Sequence, residues 1–320
     1  MTFTDLPLFS KAFLQKEAHL RNSKNTSKTF FKEKSAKHIV IWKGKLLFEF
    51  KETNPTLLIL NYVSTIFKGL DSIFLGELDG KYLFLWDISK SKKVRGSQEL
   101  LGNFNDTEKN SHEDLPKGSY FCDLRSLLPF LSEVDASICA SAKGIAEWQR
   151  VTKFCTNCGE KLIKESFGWE KSCKNCKKKQ FPRIDPVVIM LVKKGNKILL
   201  GRSHQWPKKM LSCLAGFVEP GESLEEAAKR EVFEESGIKT QNIKYITNQP
   251  WPFPSSLMIG CTSEAQNVKI KIDHNELEDA IWVTREKVFR VLSGSDNSFF
   301  VARKGAIARF LIEKWVEGLI

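Results

Sequence analysis

A chain of 320 residues with 42% hydrophobic residues is long enough for two domains, each burying its own core. Its 50 basic against 38 acidic residues, a formal charge of +12, favour anionic partners such as nucleotides, RNA or phosphorylated cofactors, and no apolar run within it is long enough for a membrane-spanning helix. Of the eight cysteines, four form two close pairs and Cys122, Cys139, Cys213 and Cys261 lie in apolar surroundings, a pattern of a reducing compartment rather than of a disulfide framework.

In chain order, the first thirty residues carry Lys11, Lys16, Arg21, Lys24 and Lys28 among many Ser and Thr, close to a mitochondrial leader in composition. Asp5, Glu17 and the lack of arginine periodicity argue against one. The terminal Gly318-Leu319-Ile320 is not of the Ser-Lys-Leu peroxisomal type. Cytoplasm is the expected compartment, with peroxisome and mitochondrion as the alternatives.

Residues 38–42, 46–50, 73–75 and 82–86 are rich in β-branched, aromatic and leucine residues bounded by Gly, Asn and Asp, and read as strands. Asp79-Gly80 marks a hairpin turn between two of them. The polar, aperiodic stretch 99–119, with Gly102, Asn103, Asn105, Asp106 and Asn110, reads as a mobile surface loop. Nothing in residues 1–120 has a catalytic pattern, and no internal repeat is visible. Ile145 and Trp148 at helical spacing predict a connecting helix from Ala136 to Phe154.

Cys155-Thr156-Asn157-Cys158 and Cys173-Lys174-Asn175-Cys176 are two C-x2-C knuckles fourteen residues apart, the spacing of one tetrahedral zinc site. Gly159 follows the first knuckle, where a left-handed conformation is needed. Four thiolates leave no open coordination position, so one zinc per chain would be structural. The same segment carries Lys171, Lys174, Lys177, Lys178 and Lys179, a solvated face or a surface for RNA. The expected division is an N-terminal mixed α+β domain over 1–148, a zinc ribbon over 149–180 and a catalytic domain over 181–320.

Residues 187–192 and 197–200 flank Gly195-Asn196 and predict a hairpin opening the catalytic domain; 281–283 reads as a strand and Ala306 to Val316 as a closing amphipathic helix. Between them, Ser223 and Glu226 have the capping-box form and Gly237 suits a left-handed residue past the last turn, so 224–236 is expected to be helical. Glu231, Glu234 and Glu235 then fall at i, i+3 and i+4 and share a face, where their charges repel unless a cation sits among them. Hard oxygen ligands that leave room for water and phosphate suit Mg²⁺ or Mn²⁺.

Gly216, Glu222, Arg230, Glu231, Val232, Glu234, Glu235, Gly237 and Ile238, at these offsets, resemble the Nudix box. Such a resemblance implies a hydrolase of diphosphates linked to another group. Eleven residues after Gly237, Asn248-Gln249-Pro250-Trp251-Pro252-Phe253-Pro254-Ser255-Ser256 is similar to the Ser-Gln-Pro-Trp-Pro-Phe-Pro-x-Ser motif of the NADH pyrophosphatase family, with Asn248 in place of Ser. Prolines hold its aromatics in an extended form. Phe181 to Pro186 also fits the family order, and the segments 255–261 and 275–280 look most like its eukaryotic, peroxisomal-type branch, though without ankyrin repeats. Residues 18–21 and 74–77 resemble the family only faintly.

The resemblance implies an α/β (α+β) fold: a Nudix α/β/α sandwich with a mixed sheet, preceded by the zinc ribbon and the N-terminal mixed α+β domain. It implies more than one Mg²⁺ or Mn²⁺ per site, held by Glu231, Glu235, Glu276 and the backbone carbonyl of Ala215, with Glu222 either behind these ligands or on a third metal. Glu234 or Glu276 would be the general base and Arg230 would orient the carboxylates. Substrate contacts would come from Phe217 and Phe181, which stack bases, from Gln249, Pro250, Trp251, Pro252, Phe253, Pro254, Ser255 and Ser256, and from Ala308. A hydroxyl common in the family at the Phe181 position is absent, so stacking survives and its hydrogen bond is lost. Ala302-Arg303-Lys304-Gly305 departs from a family Pro-Pro pair, which affects contacts around Ala308.

The expected activity is hydrolysis of NADH or NAD⁺ to a nicotinamide mononucleotide and AMP, by a homodimer. Removal of an NAD cap from RNA is the alternative, since such a cap presents the same diphosphate. A third reading, a non-catalytic dinucleotide or nucleic-acid sensor, would be marked by lost box glutamates, and none is lost.

Overall fold

The computed structural model describes residues 5–22, 35–52, 54–62, 64–101 and 103–320; Lys24 and Lys28 of the leader-like stretch and Gly102 of the polar one lie outside the described residues. The chain divides into two compact units, one of residues 11–183 with 252–255, the other of residues 1–10, 184–251 and 256–320.

In the first unit, α1 (Ala18–Asn22) precedes β1 (Ala36–Trp42), β2 (Lys45–Lys51), β3 (Asn54–Leu57), the single-turn helix α2 (Ser64–Phe67), β4 (Ser72–Leu78) and β5 (Lys81–Asp87). All four strands expected here form and run past their apolar cores, because backbone pairing continues where side chains turn polar. Asp79 and Gly80 both take positive φ, 50° and 73°, as a two-residue I′ turn requires. The strands lie in the order β3-β2-β1-β5-β4, with β1 and β5 parallel. After the small ribbon of β6 (Val94–Arg95) and β7 (Ser111–His112), β8 (Ser119–Cys122) adds antiparallel to β2.

The stretch 99–119 is anchored rather than loose. Lys45 is buried, and its Nζ pairs with Asp106 Oδ1 at 2.8 Å and donates to Glu108 O and Asn110 Oδ1, both at 3.1 Å. The segment is polar because it supplies acceptors to a buried ammonium, which would otherwise be costly. After α3 (Leu124–Leu127), α4 (Glu133–Val151) begins one turn before its expected start, because Ser132 Oγ accepts from Asp135 N at 3.1 Å as N-cap. It ends at Val151, where Lys171 Nζ donates to Gln149 O at 3.0 Å and to Thr152 O. Lys171 is therefore buried and caps a helix, and does not belong to the solvated basic face expected for it. A three-stranded sheet of β9 (Leu162–Glu165), β10 (Glu170–Cys173) and β11 (Lys179–Gln180) completes the unit.

The second unit is built on β12 (Asp185–Lys194) and β13 (Lys197–Ser203), followed by β14 (Met210–Leu211), β15 (Leu214–Phe217), α5 (Leu224–Ser236), β16 (Thr240–Trp251), β17 (Ser256–Ala265), β18 (Leu277–Thr284), α6 (Arg285–Leu292), β19 (Phe300–Val301) and α7 (Ile307–Val316). Its sheet runs β16-β17-β12-β13-β18, with β12 and β17 parallel and β15 paired to β12. Val188, Met190 and Val192 of β12 pack on Ala227, Ala228 and Val232 of α5. On the opposite face Gly260 lies under Ile307 of α7, close enough that an added Cβ would come within 3.0 Å of Ile307 Cδ1. Helix, mixed sheet, helix is the expected sandwich, and burial on both faces explains the unbroken apolar run of β12.

The two units repeat one plan. Hairpin β1-β2 matches β12-β13; hairpin β4-β5 matches β16-β17, with β5 parallel to β1 as β17 is to β12; β8 pairs with β2 as β18 does with β13. Where the second unit has the thirteen-residue α5, the first has the four-residue α2, Ser64-Thr65-Ile66-Phe67, without an acid. This repeat was invisible in the sequence because it is one of strand pairing, not of side chains. Among the described residues, no helix is long and apolar enough to cross a membrane.

Candidate metal centre

Helix α5 positions the acids. Ser223 Oγ accepts from Glu226 N at 3.2 Å, and Gly237 (φ 68°) closes the other end by donating its N–H to Phe233 O at 2.7 Å. Only half of the capping box forms, since the Glu226 carboxylate turns to Lys229 Nζ at 2.7 Å. With Ala227, Ala228 and Val232 held on the sheet, the side chains of Glu231 and Glu235, one turn apart, converge with Glu276 from the turn before β18. Ligand oxygens of these three lie within 4.8 Å of one another.

Glu234, expected in the same cluster, stands apart. Its Oε2 accepts from Arg230 Nη1 at 3.0 Å and its side chain is 53% exposed. Arg230 is the organising group. Its Nε and Nη2 form a fork on Glu222, at 2.6 and 2.9 Å, while Nη1 reaches Glu231 Oε1 at 2.9 Å and Nη2 also donates to Phe217 O at 2.9 Å. Glu222 Oε2 accepts from Glu219 N at 2.9 Å as well. The Arg230 guanidinium, then that backbone N–H, hold the Glu222 carboxyl down at about 2. Both oxygens of Glu222 thus accept within the protein, and Glu222 stands outside the group of Glu231, Glu235 and Glu276.

The carboxylate cluster has the electrostatics of a cation site. Glu235 is buried, its Oε2 has no partner among the described residues, and burial, with Glu231 and Glu276 adding, pushes its carboxyl up to about 8. Burial likewise raises Glu231 against the pull of Arg230. Three acid oxygens, one of them orphaned and sealed from water, fit a hard divalent cation. Gly216 of β15 shows how close the packing is: a Cβ there would fall 1.9 Å from the Glu231 carboxyl carbon. Ala215 beside it is half-buried.

The four cysteines also converge. Sγ separations are 3.5 Å for Cys155 and Cys176, 3.5 Å for Cys158 and Cys173, and 3.6 Å for Cys158 and Cys176. Thiolates about 2.3 Å from one tetrahedral zinc stand about 3.7 Å apart, so the set fits zinc. Both knuckles have the same backbone: Gly159 (φ 73°) donates to Cys155 O and Lys177 (φ 62°) to Cys173 O. Lys177 meets in the second knuckle the left-handed requirement that Gly159 meets in the first. The Lys178 N–H, then the neighbouring thiols, lower Cys176, while burial and its hydrogen bonds with Cys158 and Cys176 raise Cys173, so the four thiols share protons as a closely spaced set.

The proline motif proved to be a hairpin. Gln249, Pro250 and Trp251 close β16 opposite Met258, Leu257 and Ser256 of β17, and Pro250 is tolerated because β16 is an edge strand. Trp251 meets Phe9 edge-on at 6.4 Å. The intervening turn, Pro252 to Ser255, belongs to the first unit, where Phe253 lies against Arg125 and Lys143. Gln249, expected to contact substrate, is fully buried, donates to Leu8 O at 2.5 Å and Gly305 O at 2.8 Å, and accepts from Ile307 N at 2.8 Å. Its amide ties the start of α7 to the sheet. Ala308, next in α7, is buried too, whereas Phe217 and Phe181 are 59% and 61% exposed, Phe217 in the second unit and Phe181 in the first. Arg125 and Lys143 were missed in the sequence, having no spacing signal that ties them to a motif over a hundred residues away.

Two family models match the chain. Residues 182–300 match the NUDIX domain model, and residues 35–148 match a model described as an NADH pyrophosphatase-like rudimentary NUDIX domain. The second match accords with the repeated strand plan of the first unit. The chain is 46% identical over 198 residues to the NAD-capped RNA hydrolase NUDT12 of Homo sapiens, covering 58% of this chain and 43% of that protein. It is 38% identical over 227 residues to the NAD(P)H pyrophosphatase NUDT13, mitochondrial, of Mus musculus (65% and 64%), and 39% over 170 residues to the NAD-capped RNA hydrolase NudC of Erwinia tasmaniensis (52% and 65%). The chain therefore spans less than two thirds of each of these relatives.

Proposed function

We propose, for a chain that belongs to the Nudix proteins with an NADH pyrophosphatase-like N-terminal domain, that it hydrolyses the diphosphate of NADH or NAD⁺ to a nicotinamide mononucleotide and AMP. The observation that carries the reading is the cluster of Glu231, Glu235 and Glu276 around the orphaned, buried oxygen of Glu235. A divalent cation held there, Mg²⁺ or Mn²⁺, supplies neutralisation of the diphosphate charge and acidification of the attacking water.

The remaining work falls to the chain. Arg230, fixed by the Glu222 carboxylate, steers Glu231 and keeps its positive charge beside the cluster. Of the two candidate bases, Glu276 is exposed and within the cluster while Glu234 is engaged by Arg230, so we assign proton transfer from the attacking water to Glu276, a role typically worth about 10²- to 10⁴-fold. Exposed Phe217 offers a face for a base or nicotinamide ring. The cysteine site holds structural zinc. The resemblance supports a homodimer, and a relative named as mitochondrial makes an organelle a competing location to the cytoplasm.

An NAD cap on RNA presents the same diphosphate, and the names of two relatives favour that second reading. One preparation assayed with NADH, NAD⁺ and NAD-capped RNA tests both. The expected products are AMP from the dinucleotides and 5′-monophosphate RNA from the cap. Absence of cleavage on all three would sink the proposal.

A further inference from the structure

The turn of the proline motif lines a charged cavity that contains none of Glu231, Glu235 and Glu276. In the first unit, a cavity of about 460 Å³ is walled by Ile41, Ala146 and Phe253 on its apolar side and by Lys43, Arg125 and Lys143 on its cationic side. Arg125 and Lys143 both face the Phe253 ring, at 4.6 and 5.4 Å from its centroid.

What distinguishes the three cations is the company they keep. Among the described residues none of them makes an ion pair: Lys43 Nζ donates to the Gln98 amide oxygen at 2.8 Å, Arg125 Nη1 to Asn103 O at 3.3 Å, and Lys143 Nζ to Gly44 O at 2.7 Å. The two acids that also line the cavity are committed elsewhere. Glu147 is forked by Arg150 at 2.6 and 2.8 Å, and Asp87 accepts from the backbone and hydroxyl of Ser89. Burial, and the neighbouring Arg125 charge, hold the Lys143 ammonium below its ordinary value, while the charges of Asp123, Glu147 and Asp106 offset part of this. An anion that bridges the cations adds to that offset.

We propose that this cavity binds a mononucleotide, its phosphate on Lys43, Arg125 and Lys143 and its sugar or base on the wall of Ile41, Ala146 and Phe253. The paired demand, several cations beside an apolar surface, selects a phosphate ester over a bare phosphate ion, and the volume is that of a small-ligand pocket. The backbone prepares the site: Lys43 (φ 46°) and Gly44 (φ 82°) form the turn between β1 and β2, and a Cβ on Gly44 would crowd Lys143 Nζ at 3.2 Å. Binding here is separable from hydrolysis, since it is read at equilibrium without divalent cation.

The test is calorimetric titration of the full chain, without added divalent metal, with AMP, inorganic phosphate and adenosine. Wild-type protein is expected to bind AMP more tightly than either fragment, with affinity falling as salt rises. Arg125→Gln, Lys143→Met and Lys43→Gln should each weaken AMP by about tenfold or more. Lys43 is exposed, so Lys43→Gln remains decisive even if Lys143→Met melts early. The proposal is overturned if AMP does not bind, or if Lys43→Gln and Arg125→Gln bind it as wild type does.

Discussion

Gly216 and Glu231 share one volume: a Cβ on the glycine would lie 2.0 Å from Glu231 Oε2, so the carboxylate rests directly on the backbone of β15. Gly216→Ala must push Glu231 out of the carboxylate cluster. Displacement of about 1 Å at such a site costs on the order of 10²-fold in turnover. The variant is expected to keep a melting temperature near wild type, because what must shift is the far end of a flexible side chain rather than backbone, while losing that factor in AMP release from NADH. Full activity would show that Glu231 need not sit where it does.

Cys176→Ser removes one of four converging thiols. Structural zinc supplies on the order of 10 kcal/mol of apparent folding free energy to sites of this type. Metal analysis should find zinc falling from one per chain toward none, and limited proteolysis should cut first between residues 152 and 183. A zinc-free variant that resists proteolysis as wild type does would remove the structural role.

Gln249→Leu tests whether a motif residue serves the fold or the substrate. Its loss strands Ile307 N in a buried setting, which costs about 1–3 kcal/mol, and removes the partner of the half-buried Leu8 O. The expected result is a lowered melting temperature with KM for NADH unchanged at a temperature where the variant is folded. A raised KM with unchanged melting would return Gln249 to the substrate.

Cysteine spacing and box offsets are local, so the zinc knuckles and α5 could be placed from sequence. Which acids meet was only partly legible, because Glu234 shares a helix face with Glu231 yet is drawn off by Arg230, and a side-chain partner is not visible in periodicity. Glu276 came by resemblance, since forty-one residues separate it from Glu235. The repeat of the strand plan was hidden because α2 keeps the place of α5 and none of its acids. The anchored stretch 99–119 was misread because a polar segment serving a buried Lys45 looks like one serving water.

His38 carries a pH dependence. It is buried, with Nδ1 accepting from Trp86 Nε1 at 2.9 Å, and burial, then the charge of Lys37, pushes it down to about 4. Its unfolded value is about 6.5, so between these values the unfolded chain binds the extra proton. The stabilisation is complete above about pH 6.5 and is lost as pH falls toward 4. Melting followed from pH 7 to 5 should drop more steeply in wild type than in His38→Gln. Parallel curves would rule out this origin for the acid limb.

Whether the cluster around Glu235 runs a diphosphate hydrolysis is read from AMP release from NADH by zinc-loaded protein with Mg²⁺ or Mn²⁺, wild type against Glu235→Gln. Steady release by wild type is expected, with a loss of about 10²-fold or more in a variant that is still folded. Equal release by both proteins, or none by wild type, would refute the assignment.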